Sequence, residues 1–144
     1  TGALERWKLI LPDGSPLPIK QSMHQIGITQ DYVVLMDTSF TTGLEQVLNN
    51  PFPENKKVET QLRNLLEAKV SPDSTLYIVR RADLKAGQFP AYDDQEVEVI
   101  VKKVVLPLET AHFLVDYDNP QGNITLNAAH ICGMNVAEWV RQYD

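Results

Sequence analysis

Apolar and polar positions alternate along much of this chain, and a period of two marks half-buried β-strands. Residues 4–11, Leu-Glu-Arg-Trp-Lys-Leu-Ile-Leu, begin as such a strand and run into Pro12-Asp13-Gly14-Ser15-Pro16. Proline fixes φ there and glycine supplies a conformation other residues avoid, so a turn is predicted. Leu17 to Lys20 reads as a short extended piece. The stretch from Met23 to Asp37 is rich in Val, Ile, Thr and Tyr, and predicts two short strands joined by a turn at Gln30-Asp31. Thr75 to Arg80 predicts another strand, and Ala86 to Gln95 a loop. The longest predicted strand runs from Glu96 to Leu106, where Val97, Val99 and Val101 alternate with Glu96, Glu98 and Lys102, and Pro107 interrupts it. His112 to Tyr117 and Asn123 to Ala129 predict a hairpin across the turn Asp118-Asn119-Pro120-Gln121-Gly122.

The period changes in the middle of the chain. Thr42 to Asn49 places Leu44, Val47 and Leu48 on one side of a helix, which Asn50-Pro51-Phe52-Pro53 stops. A second helix is predicted from about Lys56 to Lys69, with Val58, Leu62, Leu65 and Leu66 in one stripe and Asn55 as N-cap. A last helix is expected from about Asn135 to Gln142. The helical excursion over about residues 42–70 reads as packing on a sheet edge rather than as a lid. The fold class expected is mainly β: an antiparallel sheet, sandwich, barrel or propeller.

Composition narrows this picture. The 144 residues suffice for one domain with a real core, and 43% are hydrophobic, as in ordinary globular chains. The net charge of -6, with 13 Lys and Arg scattered among 19 acids, argues against a nucleic-acid partner. No apolar run approaches the roughly 18 residues of a membrane span, and Thr1-Gly2-Ala3-Leu4-Glu5-Arg6 has no signal-peptide pattern. The single Cys132 excludes an internal disulfide framework and a thiolate zinc site, and fits a reducing, cytoplasmic compartment. The missing initiator Met and the abrupt end at Tyr143-Asp144 lead us to expect a piece of a longer chain.

Candidate chemistry rests on the histidines His24, His112 and His130. They form no HxH, HExxH or similar short metal motif. Alternation places His24 on one face with Ile26 and Ile28, and an imidazole among aliphatic neighbours needs a partner for its ring nitrogens. From the residues alone the plain reading is a core histidine bonded to a backbone carbonyl. Position adds a second reading. His24 and His112 each begin a strand that enters a hairpin, and histidines at strand ends around one axis of a closed β structure would converge on a metal. Neutral imidazole suits Fe, Zn, Cu or Ni. There is no GxSxG, no glycine-rich phosphate loop and no electropositive setting for Cys132. Asp93-Asp94 and Glu96/Glu98 read as solvent-facing.

Two segments carry a family resemblance. Met23-His24-Gln25-Ile26-Gly27-Ile28-Thr29, continuing to Tyr32-Val33-Val34 and Asp37, resembles the "MHD-hydrophobic-x-IT-x-x-Y-x-V-x-x-D" segment of the carotenoid cleavage oxygenases, a family that includes the stilbene-cleaving and retinoid-isomerising branches. His112-Phe113-Leu114-Val115-Asp116-Tyr117-Asp118, followed by Ile124-Thr125-Leu126, resembles the family's "FHHxNAYE" segment and the strand after it. Thr75 to Arg81 is similar to the strand between them, and the resemblance spans about Leu4 to His130, with residues 42–70 as a subgroup feature. Gln25 stands where the family usually has Asp, and Val115 where it usually has Asn.

The resemblance implies a seven-bladed β-propeller with Fe(II) held on its axis by four histidines, of which His24 and His112 would be two. One further ligand would precede His24 and another would lie beyond Asp144, while His130 matches no ligand position. Residues 1–144 would then be a single domain, or a fragment holding about three blades at roughly 40–45 residues each. The parent would be a dioxygenase that uses O2 to cleave a conjugated C=C bond in an apolar polyene (a carotenoid or apocarotenoid) or a phenolic stilbene, with peripheral membrane contact. The isolated chain is expected to be inactive, and its exposed strand edges to favour a homo-oligomer. The rival expectation is a non-catalytic β-rich interaction module in which His24 and His112 are core residues.

Overall fold

The computed structural model describes residues 4–41, 54–66, 70–88, 96–130 and 134–135, and they form a mainly β structure. The strands are β1 (Lys8–Ile10), β2 (Ser22–Ile28), β3 (Tyr32–Thr38), β4 (Phe40–Thr41), β5 (Asp73–Arg80), β6 (Glu98–Ile100), β7 (Lys102–Pro107), β8 (Thr110–Val115), β9 (Leu126–His130) and β10 (Met134–Asn135). A helix, α1, covers Lys56–Leu66.

The central element is a four-stranded antiparallel sheet in the order β2-β3-β5-β7, so each strand lies beside its predecessor in that sheet. Its middle strands explain the apolar run Val33-Val34-Leu35-Met36, because a sheet covered on both faces needs apolar side chains in both directions. On one face Val34, Met36 and Leu76 pack with Phe113 of β8, flanked by Val115, Ile124 and Leu126. On the other, Tyr77 and Val79 pack with Val99 and Val101 and with Trp7, Leu9, Leu11 and Leu17 from the start of the chain. The covering layers are an antiparallel pair, β8-β9, and a parallel pair, β1-β6. A further parallel pair joins β4 and β10. None of these sheets is closed among the described residues.

The strand expected from Glu96 to Leu106 is two strands that belong to different sheets. β6 pairs with β1 and β7 pairs with β5. Val101 is the switch: its N–H donates to Ile10 O at 2.9 Å, and its side chain enters the core. The alternation slips there: Val99 and Val101 pack in one cluster, Val104 and Leu106 against the other, and the consecutive exposed Lys102 and Lys103 mark the change of phase. The second predicted helix is present as α1, with Asn55 Oδ1 accepting from Val58 N–H at 3.2 Å as its cap. The helix expected over residues 42–49 lies outside the described residues. So does the last expected helix, except that Asn135 belongs to β10. In the turn before β9, Gln121 and Gly122 have φ of 61° and 76°, the left-handed region that glycine tolerates best.

Gly27 sets how closely β8 approaches β2. A Cβ there would lie 2.8 Å from Val115 Cγ2 and 2.9 Å from Phe113 Cε2. Both are branched or aromatic groups held in the core, so they cannot easily yield. Gly27→Ala is expected to destabilise the chain by about 1–3 kcal/mol, the usual cost of overpacking, read as a lower urea midpoint at unchanged slope.

Tyr77 is buried and its hydroxyl donates to Pro18 O at 2.8 Å. Burial, and then the charge of Asp37, push its pKa above the ordinary 10.0. The native state therefore holds this proton more tightly than the unfolded chain. Its contribution to stability is fully present below pH 10.0 and is lost as pH rises through the higher folded value. Alkaline unfolding monitored across that window should be shallower in Tyr77→Phe than in the parent chain.

Candidate functional site

The site is built where β2 and β8 cross on one face of the central sheet. Each strand carries a β-bulge. In the β2-β3 ladder Met23 pairs with Asp37 and Ile26 with Leu35, so His24 and Gln25 together stand opposite Met36. In the β8-β9 ladder Thr110 pairs with His130 and His112 with Ala129, which leaves Ala111 as the extra residue. A bulge breaks strict alternation and re-aims the side chains beside it. The alternation predicted for His24, Ile26 and Ile28 is therefore interrupted between the histidine and the isoleucines.

The outcome is that the two histidines meet. The imidazoles of His24 and His112 have ring centroids 5.1 Å apart with planes tilted by 57°. Both residues are exposed, which corrects the expectation of core histidines. Ile26 and Ile28 are exposed as well, at 61% and 54%, so the neighbours that made a core site plausible are not core residues.

Gln25, the other bulge residue of β2, reaches across to β8. Its Oε1 accepts from Phe113 N–H at 3.2 Å and lies 3.4 Å from His112 Nδ1. An open cleft of about 470 Å³ adjoins this contact, lined by Gln25, His112, Phe113, Leu114, Asn127, Ala128 and Ala129. Its walls are mostly apolar.

Further contacts pin both strands. Ser39 N–H donates to Thr110 O at 2.9 Å, and Thr110 N–H donates to the buried Ser74 Oγ at 3.1 Å, which holds the start of β8. At the other end Gln30 N–H donates to Tyr117 O at 2.8 Å. Asn119 closes the arrangement: its Nδ2 donates to Asp31 Oδ2 at 2.7 Å and its Oδ1 accepts from Asp31 N–H at 3.1 Å. Asp37 holds the approach to β2, accepting from Lys20 N–H at 2.7 Å and Gln21 N–H at 2.9 Å. Sequence reasoning read Asp37 only as a motif letter and Asn119 only as a turn residue. A buried carboxylate facing two main-chain donors gives Asp37 a physical role.

His130 stands apart in its bonding. Its Nδ1 contacts Thr110 Oγ1 at 3.3 Å and Glu109 O at 3.2 Å. Cys132, Asp93 and Asp94 lie outside the described residues. Among the described residues no group of three or more His, Cys, Asp or Glu side chains is arranged to hold a metal. The chemistry on offer is thus a pair of adjacent, exposed imidazoles beside an apolar cleft. Neutral imidazole is a metal ligand by its chemistry, and a site built on these two rings would need further ligands from elsewhere.

No family model, curated protein or solved structure matches the chain. No helix among the described residues is long and apolar enough to cross a membrane.

Asp37→Ala removes the acceptor of two main-chain N–H groups just before β2. The expected cost is about 1–3 kcal/mol for stranding those donors, and faster hydrogen exchange at the Lys20 and Gln21 amides should accompany it.

Proposed function

We propose that this chain carries two of the four histidine ligands of a nonhaem Fe(II) dioxygenase, an enzyme that uses O2 to cleave a conjugated C=C bond of a carotenoid, apocarotenoid or stilbenoid. One observation carries the reading: His24 and His112, distant in sequence and each marked by a resemblance to a ligand motif, have adjacent rings. The four-stranded antiparallel meander, with another strand pair packed on its face, supports a seven-bladed β-propeller as the parent fold. In that reading β2 and β8 are the innermost strands of successive blades.

His24 and His112 would hold the metal through imidazole nitrogens, which suit iron without adding charge. Bound Fe(II) supplies the one-electron chemistry that lets O2 react with a closed-shell alkene. The chain's own residues bind and shield. Phe113, Leu114, Ala128 and Ala129 give the cleft an apolar wall that suits a conjugated hydrocarbon and displaces water.

In the full parent protein, His24→Ala and His112→Ala should each abolish iron content and turnover, measured by metal analysis and product formation. Retained iron with full activity in either variant would defeat the assignment.

A further inference from the structure

We propose that Gln25 is a positioning residue: it biases His112 toward the tautomer protonated at Nδ1, so that the neutral ring keeps its lone pair at Nε2. What that lone pair is used for rests on the metal-ligand reading above. The tautomer does not.

The argument starts from donors and acceptors. A main-chain N–H can only donate, so the Gln25 amide atom 3.2 Å from Phe113 N must be the oxygen. That oxygen can only accept. His112 Nδ1, 3.4 Å from the same atom, therefore bonds to it only when Nδ1 carries the proton. In a neutral imidazole the other nitrogen is then the acceptor, which leaves Nε2 able to ligate. The bond from Phe113 is the firmer of the two and anchors the amide. The longer ring contact then biases the proton.

The bulge in β2 makes this possible. In a regular strand His24 and Gln25 would point to opposite faces. Here both stand opposite Met36, and both reach β8, one at the His112 ring and the other at its Nδ1 and the next main-chain amide. One local irregularity thus supplies an imidazole and the group that orients its partner. An amide does so without placing a charge beside the pair. Outer partners of ligating histidines fix ring orientation in this way, and losing one typically weakens metal binding about 10–100-fold.

The test uses the 144-residue chain, labelled with 15N-histidine and studied metal-free at about pH 8.5, above the ordinary imidazole range. Long-range 1H–15N correlations assign each ring's tautomer. The expected result is His112 predominantly protonated at Nδ1, a shift toward Nε2–H in Gln25→Leu, and retention of Nδ1–H in Gln25→Glu, which keeps an acceptor. Wild-type His112 protonated mainly at Nε2, or unchanged populations in Gln25→Leu, overturns the proposal. Should Gln25→Leu fail to fold, Gln25→Met, which keeps the length and removes the accepting oxygen, takes its place with the same expected shift toward Nε2–H. Titration with Co(II) gives a second arm: about a tenfold or greater rise in Kd for Gln25→Leu, with Gln25→Glu staying within a few-fold of wild type. Unaltered Co(II) affinity in Gln25→Leu counts against Gln25. Should the wild-type chain take no Co(II), as a site lacking its other ligands allows, the tautomer result decides Gln25, and the iron content of the parent variants decides the ligand reading.

Discussion

The approach of β8 to β2 over Gly27 is the contact on which the rest depends. With no side chain at that position, Phe113 and Val115 close onto the β2 backbone. Phe113 then completes the apolar cluster with Val34, Met36 and Leu76 on one face of the central sheet. The same approach carries His112 to His24. Core and candidate site are therefore two consequences of one close packing, and neither can be loosened alone. Dense interiors transmit such constraints because a displaced side chain has no void to move into.

Packing sets the distance, and the two bulges set the aim. Each bulge sacrifices regular ladder pairing, and the compensation lies in what the re-aimed residues touch. His24 and Gln25 gain a common partner on β8. The strand itself is tied at both ends, by Ser39 and Ser74 near Thr110 and by Gln30 and Asp31 near Tyr117 and Asn119. At the first end Ser39, Ser74 and Thr110 are buried, so breaking those bonds strands their partners; at the other end only Asn119 is buried. The result is a hydrogen-bonded frame around two exposed imidazoles.

Much of the strand content was legible because alternation and turn chemistry are local. The hairpin around Gln30-Asp31, the strand through Thr75 to Arg80 and the Asn55 cap of α1 all follow from neighbouring residues. Pairing was not legible. The passage of the chain from one sheet to another at Val101 shows in the sequence only as the doublet Lys102-Lys103, where alternation slips by one residue, so a single long strand is the expectation from local pattern. Bulges are silent, since a two-to-one count exists only relative to a partner strand. That is why alternation alone puts His24 on a face with Ile26 and Ile28, where the plain reading is a core histidine and the metal ligand rests on position and resemblance. Gly27 was an overlooked signal: glycine inside a strand often marks close approach of another chain segment. The pairing of His24 with His112 was suggested by their parallel contexts and by family resemblance, and the geometry of the bulges gives it a physical cause.

The most direct measurement counts the imidazoles bound to one metal. Cu(II) binds histidine sites strongly and reports each coordinated imidazole through its remote nitrogen in pulsed electron paramagnetic resonance. With one equivalent of Cu(II), the chain should show two equivalent imidazole couplings, falling to one in His24→Ala and to one in His112→Ala, and remaining two in His130→Ala. A single imidazole in the wild-type spectrum, or a count unaffected by His24→Ala and His112→Ala, would contradict a shared site.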